Sequence, residues 1–149
     1  MLYYIVFFII MVFFGIFINA MNILIYKPNQ FYLSPTLIYS GCFMASAMFP
    51  AHEIIHLIVY KHFNPYTFIA GIFLMIIFVI LLRLQVGISA KGWMKRMIPH
   101  HSTALTTTTQ LLKNNPNLDE FSRRLAEEII QTQKKEIEMM KRYLNKNWW

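Results

Sequence analysis

At 149 residues the chain has room for one compact unit, or for a membrane part carrying one small appendage. Hydrophobic residues make up 56 % and charged residues only 14 %, too few charges for an ordinary soluble domain, and the single cysteine excludes an intrachain disulfide. The net charge of +7 is unevenly distributed: before residue 90 the only charged side chains are Lys27, Glu53, Lys61 and Arg83. The first ninety residues therefore have lipid as their natural solvent, and the remainder has water.

Residues 1–26 contain only Asn19 and Asn22 as strongly polar groups. At ~1.5 Å per residue this run is long enough to cross a ~30 Å hydrocarbon core. Lys27-Pro28-Asn29 stops it, because proline and polar groups do not continue a lipid-facing helix. With no basic n-region and no small-residue cleavage site, the run reads as a retained span rather than a cleaved signal. A second span is expected over about 35–60, with Cys42 as a small buried residue inside it and Asn64-Pro65 as the turn that follows. A third is expected over about 66–86, where Arg83 can snorkel to the headgroups. The expected division is a transmembrane region over 1–90 and a helical hairpin domain over 91–149. Three spans put the termini on opposite sides. Lys91, Lys95 and Arg96 beside the membrane favour a cytoplasmic hairpin, with Lys61 counting against it.

Gly87, Ser89 and Gly92 let the chain change direction after the third span. Trp93, Met97, His100 or His101, Ala104, Thr108 and Leu111 then fall on one helical stripe, with Pro99 either starting the regular helix or kinking it. Lys113-Asn114-Asn115-Pro116 reads as a turn, and Asn117 with Glu120 as an N-cap and its partner. Leu118, Phe121, Leu125, Ile129, Thr132 or Gln133, Glu136, Met140 and Tyr143 form the facing stripe. A fold-back at about Asn115 places His101 beside Ile129 and Gln133, and Met94 beside Glu136 and Met140. The fold class is therefore all-α: three transmembrane helices followed by an antiparallel helical hairpin. Trp93, Lys141, Arg142, Trp148 and Trp149 read as an interfacial anchor, because indoles favour the headgroup region and basic groups favour anionic lipid.

Met97-Ile98-Pro99-His100-His101, Leu125-Ala126-Glu127-Glu128-Ile129-Ile130 and Gln133-x-x-Glu136-Ile137-x-x-Met140 resemble the domain-of-unknown-function 305 family over about Trp93 to Leu144. A bacterial subset of that family places three spans before the hairpin, with Arg83-x-Gln85 and Trp93-Met94 recurring. This chain departs from it in the run Thr106–Thr109 and in the two histidines and the glutamate of its second span. The resemblance implies a ferritin-like helical fold and, for some members, an association with copper. Longer members carry two hairpins as a four-helix bundle. The single hairpin here implies half a bundle, completed by a second subunit as a homo-oligomer.

Two residue sets could hold a soft metal. Met94, Met97, His100, His101, Glu136 and Met140 can supply ligands from facing helices, thioether and imidazole groups suiting Cu(I). The alternative is a buried polar network in which His101 bonds Gln133 or Glu136 and fixes the register. Met44, Met48, His52 and His56, spaced by four, make a second stripe along the second span; the alternative is ordinary gap-filling methionine.

His52-Glu53-Ile54-Ile55-His56 also spells H-E-x-x-H, with His62 at the distance of a third zinc ligand. Val59 and Tyr60 stand where a glycine turn would have to swing His62 back, so the string reads as a decoy for proteolysis. Phosphate-binding glycine loops and nucleophile triads are absent from the sequence, and no enzymatic activity is expected. The basic excess of the tail points to anionic headgroups rather than nucleic acid. Two functions remain: a multi-pass membrane protein that binds copper or another soft metal in storage, sensing or tolerance, or a structural scaffold whose hairpins oligomerise or dock a partner in a cellular or viral membrane.

Overall fold

A computed structural model describes residues 2–146. They are all-α, with no strand among them: α1 (Leu2–Phe17), α2 (Ala20–Ile23), a 3-10 turn (Pro28–Gln30), α3 (Pro35–Tyr60), α4 (Pro65–Arg83), α5 (Ala90–Asn114) and α6 (Glu120–Lys146). Three runs are long and apolar enough to cross a membrane, Leu2–Ile23, Pro35–Tyr60 and Pro65–Arg83, with mean hydropathy of 2.5, 1.5 and 2.6. The contacts divide the chain into two compact units: the chain up to Asn19 with Pro35–Ile88, and Ala20–Ser34 with the chain from Ser89 on. The segment after the first helix thus clusters with the hairpin.

In the first unit α3 packs against both α1 and α4. Small residues set the crossings, as expected where lipid offers no hydrophobic drive and association rests on close packing. A Cβ on Gly15 would lie 2.9 Å from the Cα of Gly41, and one on Gly71 would lie 2.6 Å from Cδ of Pro50. Ala45, Ser46 and Leu37 are buried at these crossings, while Ile9, Ile58, Ile69 and Phe73 face outward as lipid-facing residues do. Pro50 sits inside α3 without ending it. The Asn64 carboxamide caps α4 by accepting from the Tyr66 and Thr67 N–H groups at 3.1 and 3.4 Å.

The first span differs from the continuous helix expected to Tyr26. Asn19 Nδ2 donates to the carbonyls of Gly15 and Ile16, both at 3.0 Å. A side chain that satisfies the last carbonyls lets the helix stop there, so α1 ends at Phe17 and α2 is a separate turn.

In the second unit α5 and α6 form the antiparallel hairpin around Ile98, Leu105, Ile137, Met140 and Leu144. Ser89 caps α5, its hydroxyl accepting from the Gly92 N–H at 3.2 Å. Pro99 neither starts nor ends the helix and is buried inside it. Three expectations are corrected. The cap of α6 is Asp119, whose carboxylate accepts from the Ser122 N–H at 2.9 Å, rather than Asn117. The turn consequently occupies residues 115–119 and the fold-back lies later than Asn115, so His101 meets Glu136.

The third correction is the seam. Ala126, Ile130, Gln133, Ile137, Met140 and Leu144 repeat at alternating steps of four and three and turn inward, fully or partly buried. Phe121, Leu125 and Tyr143 of the expected stripe are 74 %, 45 % and 43 % exposed. On α5 the buried positions include Ile98, Ser102 and Leu105, one residue round from Met97, His101 and Ala104. The cause is a second covering surface: α2 and the 3-10 turn lie against α5, so the face they share with α6 is the one buried.

Candidate functional site

The hairpin gathers part of the candidate metal set. Met94 and Met97, both half-buried, pack against the cluster that contains Met140. His101 Nδ1 lies 3.0 Å from Glu136 Oε2. The approach is close but off the line of the ring N–H, so Nδ1 is buried without an aligned hydrogen bond. Burial pulls the His101 pKa below its usual value, the Glu136 carboxylate opposes the shift, and His100 adds to it. The net shift favours the neutral ring. His100 is exposed, its ring centroid 5.9 Å from that of His101.

Among the described residues no three His, Cys, Asp or Glu side chains converge as a metal cluster. A metal in the hairpin would consequently rest on thioether sulfurs with at most an imidazole or a carboxylate added. That donor set suits a soft, monovalent ion and not zinc.

The stripe on α3 separates into two environments. Met44 and Met48 are exposed on the outer face. The His52 and His56 rings lie with centroids 4.1 Å apart and their planes tilted by 32°, among the aromatic rings of Tyr3, Tyr4 and Phe7 of α1 and Tyr60 of α3. His52 Nε2 lies 3.3 Å from the Tyr3 hydroxyl. Glu53, 1 % exposed, accepts from the Asn64 N–H at 2.9 Å and lies 3.4 Å from His52 Nδ1. Its carboxylate closes the α3–α4 turn, and His62 is exposed in that turn. The glutamate of the H-E-x-x-H string is therefore committed to a backbone amide.

Of the interfacial anchor, Trp93 is 48 % exposed, Arg142 is exposed and Lys141 is partly buried. Trp148 and Trp149 lie outside the described residues.

With a proline-containing helix, a polar turn and the His101–Glu136 pair in place, the hairpin can be compared with known families. Residues 90–148 match the family model described as Domain of unknown function (DUF305). The match covers less than half of the chain and coincides with α5, the turn and α6. No curated protein and no solved structure matches.

The matched region also carries features that the sequence did not single out. Ser102, fully buried, donates from Oγ to Gln30 Oε1 at 2.7 Å and accepts from the Tyr26 N–H at 2.7 Å. Thr103 donates to the Met21 carbonyl at 3.2 Å. Lys141 Nζ donates to Asn29 Oδ1 at 3.1 Å. The one available signal was a serine at a core spacing between Ile98 and Leu105, where an aliphatic residue is the ordinary choice.

Proposed function

We propose that this chain is a multi-pass membrane protein whose C-terminal hairpin serves assembly, as a structural scaffold, through pairing with a second copy. The observation that carries the reading is the unused stripe on α6. The hairpin packs its own core with the row from Ala126 to Leu144 and leaves Phe121 and Leu125 exposed on the neighbouring row, with Leu111 of α5 exposed too. A two-helix unit buries little apolar surface, and a second hairpin laid on this stripe completes a four-helix bundle. The three apolar runs support membrane insertion, and the basic start of α5 supports a cytoplasmic hairpin.

Cross-linking and native mass spectrometry in mild detergent should give dimers or higher forms for the parent chain. Phe121→Glu with Leu125→Glu should give monomers of unchanged helical content. A parent chain that is monomeric throughout would contradict the reading.

A second reading, soft-metal binding, is favoured by one observation: Met94 and Met97 pack against the cluster that contains Met140, on the hairpin that also carries the partly buried imidazole of His101. Thioether and imidazole groups of Met94, Met97, His101 and Met140 would hold Cu(I), and such a site would serve storage, sensing or tolerance. Anaerobic Cu(I) titration of the untagged protein should show one tight equivalent that Met97→Leu with His101→Leu abolishes. Equal uptake by that variant removes the hairpin site and leaves the His101–Glu136 contact as a packing and register device.

A further inference from the structure

The compact unit formed by the hairpin and Ala20–Ser34 contains a cleft of about 210 Å³ between the segment around Lys27 and the middle of α6. Its floor is apolar, with Leu105 and Ile137 almost wholly buried. Its rim carries three ammonium groups, Lys27, Lys134 and Lys141, against one carboxylate, Glu138. That carboxylate is shared with Arg142, whose Nη2 lies 3.8 Å from Glu138 Oε2. Among the described residues none of the three lysines has an ion pair.

The cleft is also held in shape. Lys141 donates to the Asn29 carboxamide, and the neighbouring Gln30 is locked to Ser102 in the core. Burial, and secondarily the charge of Lys27, pull the Lys141 pKa below its usual value. Cations gathered on a partly apolar surface repel one another unless an anion lies between them. The apolar floor gives such an anion an attached carbon chain to lie against.

We propose that this cleft binds a phosphate group, with the headgroup of an anionic lipid as its nearer source. The position of Lys27, directly after the first apolar run, places its ammonium at headgroup depth, where basic side chains meet lipid phosphates. Lysine suits this role as a point charge, and two carboxamides beside it supply further donors. The site differs from a diffuse basic tail in having a defined place, a floor and a fixed cation.

The test uses the full chain in maltoside micelles offered phosphatidylglycerol and phosphatidylcholine of identical acyl chains, with retained lipid counted by native mass spectrometry. Phosphatidylglycerol should be retained preferentially. Lys134→Gln and Lys141→Gln should each reduce that preference about fivefold. Lys135→Gln, the same charge change on the same helix but outside the cleft, should leave it intact. Equal retention of the two lipids by the parent chain, or an equal loss in Lys135→Gln, overturns the proposal.

A second arm follows inorganic phosphate by phosphorus NMR in lipid-free micelles. Binding that vanishes with Lys134→Gln and Lys141→Gln together supports the site with a soluble source. Binding that survives both changes overturns it. Lys134 is exposed and holds no fold contact through its ammonium, so Lys134→Gln alone keeps the test open if the double change unfolds the chain.

Discussion

Gly71→Ala should lower the thermal unfolding temperature of the detergent-solubilised protein, although the same change in an exposed helix interior would raise it. Alanine is the better helix former by about 1 kcal/mol, so backbone propensity alone predicts stabilisation. The packing predicts the reverse. The new Cβ would stand 2.6 Å from Cδ of Pro50 and 2.7 Å from Cβ of Phe49, with the Ser46 carbonyl at 3.1 Å. None of these atoms is the far end of a flexible side chain. A proline ring inside a helix has nowhere to move, so α3 and α4 must part along their crossing. Overpacking of this kind costs roughly 1–3 kcal/mol, and Gly71→Leu should cost more. Ile69→Ala, on the lipid-facing side of the same helix, serves as the control and should change little. An alanine variant that melts at or above the parent temperature would show that the helices are not in such close contact.

Ser102→Ala should be the most damaging single change in the hairpin unit for its size. It removes one oxygen and strands two groups: Gln30 Oε1 loses a donor and the Tyr26 N–H loses an acceptor. Gln30 and Ser102 are both buried, so water does not readily replace the lost bonds. Each stranded group costs about 1–3 kcal/mol, and the two together roughly 2–6 kcal/mol. Amide hydrogen exchange should accelerate over residues 24–31 well before α5 and α6 open, because the serine is the pin between that segment and α5. Thr107→Ala removes a hydroxyl that bonds only to carbonyls of its own helix and should be nearly neutral. Exchange rates unchanged over residues 24–31 would mean that Thr103 and Lys141 hold the segment without Ser102.

Much of this architecture was legible in the residues. Long apolar runs ended by Lys27-Pro28-Asn29 and Asn64-Pro65 leave few choices, since an unpaired backbone in hydrocarbon is prohibitive. The second span runs from Pro35 to Tyr60 as read. The hairpin turn was legible for a similar reason, a cluster of asparagines and a proline between two periodic segments.

The register was harder. α6 carries two apolar rows one position apart, Phe121-Leu125-Ile129 and Ala126-Ile130-Ile137, and periodicity cannot rank them. The decision lies with Ala20–Ser34, which covers a second side of α5 and is remote in sequence. The same holds for the cleft: Lys27, Lys134 and Lys141 become one site only when the chain folds back across more than a hundred residues. Asn117 and Asp119 are both competent caps, and the choice falls to the one whose oxygen reaches the Ser122 amide. The H-E-x-x-H string reads as a decoy for proteolysis, but its letters do not reveal that a backbone N–H eleven residues later bonds Glu53 Oε2.

The unequal lengths of α3 and α4 bear on the thickness of bilayer that suits the chain. At 26 and 19 residues they measure about 39 and 28 Å. Asn64 lies against Glu53 and Gly71 against Pro50, so α4 begins level with Glu53 and the surplus falls at the Tyr60 end of α3. The Pro35 end is level with the end of α4, where Thr36 reaches Gln85 Oε1 at 3.5 Å and the Tyr39 hydroxyl donates to the Val86 carbonyl at 3.2 Å. Polar partners at this height belong among headgroups rather than acyl chains. The hydrophobic height is therefore set by the shorter helix, between its Asn64 cap and Arg83, and the last turns of α3 rise beyond it. A thicker membrane would draw one of those two polar ends into hydrocarbon, whereas a thinner one asks only for tilt. Sorting by bilayer thickness would accordingly favour the thinner membranes of a cell.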